Sequence, residues 1–275
     1  MSFSPRSRAR AKISAALMTG AVSLSVFAAS PASASATDPN CDSAQVTTTG
    51  TSWAYKICKM PDIDQRRTGL PLDGANYCVP TASLNLMFYL DKHGYPNLLS
   101  GNYDPTASDS VNYQEVTAKL SRMGGLVETN PTDGTNRSNT VDGVNELIES
   151  KGYEDDLELS FEDLDDEDNV SHRMIELTRG GRDLLNASVG WYNADGDRVG
   201  GHHVTVVGVE GDSAGHHKIT FNDPANDNVL TTQSATLSST YTLGSDNGDG
   251  AKIIGYGGSD VTARLEGVMV LTTAP

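Results

Sequence analysis

The residues best suited to chemistry in this chain are a cysteine, a histidine pair and an Asn-Asp pair, far apart in sequence. Cys78 lies in Tyr77-Cys78-Val79-Pro80-Thr81-Ala82, where a turn-rich stretch gives way to a helical pattern. A thiol at a helix N-terminus faces unpaired backbone N–H groups and the positive end of the helix dipole, both of which favour its ionised, nucleophilic form. Such a nucleophile needs a general base, and the base needs a third group to orient it. Gly200-Gly201-His202-His203-Val204-Thr205-Val206-Val207-Gly208 reads as a strand entered by two histidines. Ile219-Thr220-Phe221-Asn222-Asp223-Pro224 reads as a strand ending on polar residues at a proline stop. Antiparallel neighbours joined by a hairpin-like loop bring a strand-start His beside a strand-end Asp or Asn. Successive strand side chains face opposite ways, so His202 and His203 cannot both meet Cys78.

The histidines raise metal binding as a rival chemistry. His202 with His203, and His216 with His217, are adjacent pairs whose side chains diverge on a strand, whereas zinc ligands must converge. No CxxC pair and no HExxH helix is present, so no metal site is expected. His216 and His217, beside Gly215, are expected in an exposed turn. Asn193–Asp197 and Asp246–Gly250 have the flavour of calcium loops but lack the downstream bidentate Glu, and read as hairpin turns.

Cysteine count and export belong together. Arg6, Arg8, Arg10 and Lys12 precede a short apolar stretch from Ile13 to Ala29, and Ala34-Ser35-Ala36 follows as a small-residue cleavage pattern. Residues 1–36 are therefore expected to be a secretory signal peptide, since the apolar stretch is short and broken by polar residues. The secreted protein would mature where disulfides form, and three cysteines leave one over. Cys41 and Cys58 flank a short polar segment, so residues 37–60 are expected to be a disulfide-tied N-terminal segment, with Cys78 free. The formal net charge of −16 becomes more negative once the basic leader is removed. That balance argues against nucleic acid and against anionic membrane surfaces.

Several elements are needed to position these groups. A helix is expected from Cys78, with Asn76 as N-cap, Pro80 in the first turn and Ala82, Leu86 and Leu90 on one face, ending near Gly94 and Pro96. Three more helices are marked by Val116/Leu120/Met123, Val141/Val144/Leu147/Ile148 and Val170/Met174/Leu177, each stopped by glycine. Glu154 to Asp168, with ten carboxylates and no basic residue, is expected to be a solvated acidic face or loop. After Gly181, β-rich runs fall at 186–192, 202–209, 218–222, 239–243, 252–256 and 266–271. Trp191 and Tyr192, just before the His strand, are candidates for a substrate groove or for cross-strand packing. Helices first and an antiparallel sheet second is an α+β order.

The Cys78 helix start, Gly201-His202 before Gly208, and Asn222-Asp223-Pro224 together resemble the papain-like cysteine peptidases, in particular the bacterial branch of double-glycine leader peptidases. The resemblance spans residues 62–224. It implies Cys78 as nucleophile, His202 as base, Asp223 as orienter and Gln65 as the donor completing the oxyanion hole; Val79 stands where that branch usually carries Gly. Residues 61–275 would then be one papain-like α+β domain, a helical half followed by a mostly antiparallel sheet half. The implied reaction is hydrolysis of peptide bonds through a thioester, on a peptide or protein substrate, with no cofactor. Two rivals share these residues: a transglutaminase-like or deamidating enzyme, and a non-catalytic exported binding protein on the same scaffold.

Overall fold

The computed structural model describes residues 44–101, 110–164, 169–225, 238–246 and 250–273. The expected signal peptide, Cys41, and part of the second candidate calcium loop lie outside these residues. Four α-helices are described: α1 (Cys78–Lys92), α2 (Ser110–Leu126), α3 (Arg137–Glu149) and α4 (Val170–Thr178). Nine strands accompany them: β1 (Ala44–Thr49), β2 (Ser52–Ile57), β3 (Leu157–Asp163), β4 (Leu184–Tyr192), β5 (Arg198–Asp212), β6 (His217–Asn222), β7 (Ser239–Asp246), β8 (Ala251–Ile254) and β9 (Thr262–Thr273).

The sheet overturns the expected fold class. Strands β4 to β9 follow the order β5-β4-β9-β8-β7-β6, and β6 pairs back onto β5, so six antiparallel strands close into a barrel. The molecule is mostly sheet around this barrel, not a papain-like helical half joined to a sheet half. The reason lies in strand length. The run expected from His202 to Val209 extends from Arg198 to Asp212, because Gly200, Gly201, Gly208 and Gly211 lie within the strand rather than ending it. Register shifts at Ser188/Val189, Trp191/Tyr192 and Val206/Gly208 bend the long strands, as bulges do. A strand of that length can pair β4 and β2 as well as β6, which closes the barrel and also extends the sheet.

Further corrections follow from local packing. The acidic stretch contains β3, whose Leu157 and Leu159 are buried and whose backbone pairs with β9; its carboxylates alternate outward or meet Arg173 and Arg137. Helix α2 does not stop at Gly124-Gly125 but runs to Leu126. A Cβ on Gly124 would lie 2.6 Å from the Tyr77 ring, so this glycine lets α2 pack against the residue preceding Cys78.

Helix α1 is fastened to the barrel wall by a buried amide. Asn85 Oδ1 accepts from the Ile63 N–H at 3.2 Å, and its Nδ2 donates to Thr205 Oγ1 at 3.1 Å. One side chain thus ties the segment before the helix, the helix and β5 together. A buried amide left unpaired would cost about 1–3 kcal/mol, so this register is enforced. Thr205 lies three residues beyond His202, and Asn85 two helical turns beyond Cys78.

Candidate active site

Cys78 is the first residue of α1, the position expected from the sequence, and its thiol is free. The cap differs from expectation. Tyr77, not Asn76, is the N-cap, and no side chain caps the helix. The Asn76 Nδ2 donates instead to the carbonyls of Pro131 and Thr132, at 2.6 and 3.1 Å, tying the turn to the α2–α3 loop. The first turn is left with few donors. Pro80 has no N–H, and the Thr81 N–H is used by the Tyr77 carbonyl at 3.0 Å. Cys78 and Val79 therefore carry the first-turn N–H groups that have no intrahelical acceptor.

Strand alternation settles which histidine and which polar residue face each other. His202 Nε2 lies 2.6 Å from Asp223 Oδ1, and both side chains are almost wholly buried. Cys78 is near enough to His202 to favour its charged form; with Nε2 committed to Asp223, Nδ1 is the nitrogen left to serve the thiol. Burial opposes the imidazolium, but the charge and hydrogen bond of Asp223, together with Cys78, outweigh it and push His202 up to about 10. Burial likewise opposes the Asp223 carboxylate, yet His202, Tyr256 and the Ala225 N–H hold it below the usual carboxylate range. Its Oδ2 accepts from Tyr256 Oη at 2.6 Å and its Oδ1 also accepts from Ala225 N at 2.9 Å.

The alternatives left open by the sequence have other partners. Asn222 Nδ2 donates to the Pro61 carbonyl at 3.0 Å, and its Oδ1 accepts from Ser238 at 2.7 Å. His203 faces away from Asp223 and meets Ser188 Oγ through Nδ1 at 3.2 Å. Burial, with the His202 charge second, pushes His203 down to about 3, so it is neutral. His216 pairs with Asp212 at the β5–β6 turn, and His217 begins β6.

Gln65 approaches this region without meeting the other three through any described hydrogen bond. Its Nε2 donates to the carbonyls of Gly74 and Ala75, at 3.1 and 3.0 Å, and its backbone N–H donates to the Pro224 carbonyl at 2.8 Å. Gln65 thereby links the turn before Cys78 to the residue after Asp223. Gly74 is required for this closeness: its φ is +75°, and a Cβ there would lie 1.8 Å from the Gln65 carbonyl oxygen. Both Nε2 hydrogens are spent on carbonyls, so in this arrangement Gln65 acts as a strut for the turn.

Two aromatic residues complete the site, of which only Tyr256 carried no assigned role in the sequence. Tyr256 follows β8 in a glycine-rich turn, and nothing in its spacing marks it as the second donor to Asp223. Trp191, expected to line a groove or pack across strands, has its ring 6.4 Å from His202 and 5.0 Å from Tyr256. The Trp191 ring is stacked relative to that of His202 and tilted against that of Tyr256. A cleft of about 240 Å³ opens beside Cys78 and His202, with Val79, Thr135, Arg137, Ser188, Arg198 and His203 among its lining residues. Among the described residues no group of three or more His, Cys, Asp or Glu is placed to hold a metal ion, and no helix is long and apolar enough to cross a membrane.

No protein-family model matches the chain, and no curated protein matches it.

Proposed function

We propose that this protein is an exported cysteine peptidase that hydrolyses peptide bonds through Cys78, His202 and Asp223. The observation that carries the proposal is His202, bonded through Nε2 to a buried carboxylate and lining the same cleft as a free thiol at a helix N-terminus. In this reading His202 Nδ1 takes the Cys78 proton, and the sulfur attacks the scissile carbonyl carbon. The oxygen becomes an anion facing the Cys78 N–H, the donor that the helix start leaves without an intrahelical acceptor. Collapse of the tetrahedral intermediate breaks the C–N bond, and His202 returns the proton to the leaving amine. A water then loses a proton to His202 and attacks the thioester, releasing the acid and restoring the thiol. Asp223 stays ionised and fixes the imidazole's tautomer and orientation.

Export is supported by the basic, apolar and small-residue pattern of residues 1–36. A bridge between Cys41 and Cys58 would leave Cys78 unpaired, as this chemistry needs. The test is mass analysis of products from peptides incubated with the secreted protein and with Cys78→Ala. Backbone cleavage by the wild type alone supports the proposal. Release of ammonia from Gln-containing peptides with an intact backbone would replace peptidase with deamidase activity, and no reaction at all would favour a binding protein.

A further inference from the structure

The peptidase reading leaves His203 without a task, yet it is the most unusual polar group in the cleft. It is 3% exposed, it lines the cleft beside Cys78, and its Nε2 has no hydrogen-bond partner. A buried polar atom left unpaired costs about 1–3 kcal/mol, so an unpartnered nitrogen on a cleft-lining residue points to a ligand that supplies the missing bond once a small ring movement uncovers it. Its other nitrogen is occupied. Ser188 is the cross-strand partner of His203, with Oγ 3.2 Å from Nδ1. A neutral ring accepting from that hydroxyl at Nδ1 carries its proton on Nε2 and offers it as a donor. Asn186, two residues from Ser188 on the same face of β4, is also buried with neither side-chain polar atom partnered. Asn186 lies outside the cleft lining, so the polar groups offered on this wall are Ser188 and His203, beside Val189 and Met269.

Charge narrows the ligand. The cleft is lined by Arg198 and Arg137, but each already faces a carboxylate. Glu266 takes Arg198 through both oxygens, at 2.7 and 2.9 Å, and Asp163 takes Arg137 at 2.8 Å. Asp133 adds a further negative group to the lining. An incoming carboxylate would find no uncompensated cation here, whereas an uncharged amide carbonyl needs only a neutral donor.

We infer that His203 is a specificity-determining residue of this site, whose Nε2–H receives the carbonyl oxygen of an amide side chain, of Gln or Asn type, on the substrate residue that enters the cleft beside Cys78. The inference rests on the peptidase reading and deepens it. The donor is anchored by Ser188 and set beside the nucleophile on the opposite face of β5 from Asp223, so selection of the side chain and activation of the thiol use neighbouring residues without sharing a proton.

The test uses peptidyl electrophiles that alkylate Cys78, matched except for Gln, Glu or Leu at one of the two residues preceding the reactive carbon. The readout is the ratio of inactivation rates, with mass analysis confirming the site of modification. Wild-type protein should react about 10- to 100-fold faster with the Gln probe than with the Leu probe, the cost of leaving one buried donor unpaired. His203→Leu should abolish or invert that ratio, and His203→Gln, which keeps an amide donor at similar reach, should restore much of it. An unchanged ratio in His203→Leu, or a wild-type preference for Leu or Glu, overturns the inference while leaving the peptidase reading standing. A Cys78 no more reactive than free cysteine toward every probe removes both.

Discussion

The two faces of β5 at residues 202 and 203 carry the same side chain and give it opposite fates. On one face His202 meets a buried carboxylate and a thiol, and its proton is held up to about 10. On the other His203 meets only a hydroxyl, and burial together with the neighbouring charge drives it down to about 3. Both rings are buried, so burial alone does not decide the charge; the compensating carboxylate does. One strand thus sets a proton carrier and a neutral hydrogen-bonding group next to each other, with alternation keeping them apart.

The largest effects are expected on the charged face of β5. His202→Ala should lower kcat/KM on a cleaved peptide by about 10²–10⁴-fold, the usual share of a general base, and Cys78→Ala should leave no measurable turnover. Asp223→Asn keeps the shape but removes the charge. It should bring the His202 titration, followed by NMR of the ring, down by about 1–3 units, and lower turnover about a hundredfold. Tyr256→Phe removes one donor from the same carboxylate. It should cost about 1.5–3 kcal/mol in denaturant unfolding and slow turnover by roughly tenfold or less.

The smallest effect tests both faces together through pH. His203 stays neutral when folded but binds a proton near 6.5 when unfolded, so stability is lost as pH falls from about 6.5 toward 3. His202 holds its proton when folded, so its contribution is full below about 6.5 and is lost as pH rises through about 10. Each limb should have a slope of up to about 1.4 kcal/mol per pH unit. His203→Gln should flatten the acid limb alone; flattening of both limbs by that change would show that the two rings titrate as one unit.

Much of this arrangement was legible in the sequence, and the failures have physical causes. All four helices and all six barrel strands announce themselves by apolar period and glycine punctuation. Barrel closure does not, because it depends on β5 running through four glycines that read as strand ends. Strand β3 was hidden by its carboxylates, although Leu157 and Leu159 already alternate with them. Cys78 at the start of α1 and Asp223 just past β6 stand out by position, whereas His202 lies four residues inside β5, and its choice over His203 comes with the family resemblance. Tyr256 could not, since its role arises from the closure that brings the β8 turn over Asp223. Gln65 sits beside the turn before Cys78, but its amide is spent on carbonyls that only the folded Gly74 turn presents.

The most direct test of the central claim, that His202 on its Asp223 support activates Cys78, is the alkylation rate of Cys78 by iodoacetamide at pH 6, read by mass spectrometry. The account predicts a rate at least about tenfold above that of free cysteine, falling to the free-cysteine rate in His202→Ala. Equal rates in the wild-type protein, the variant and free cysteine would contradict it.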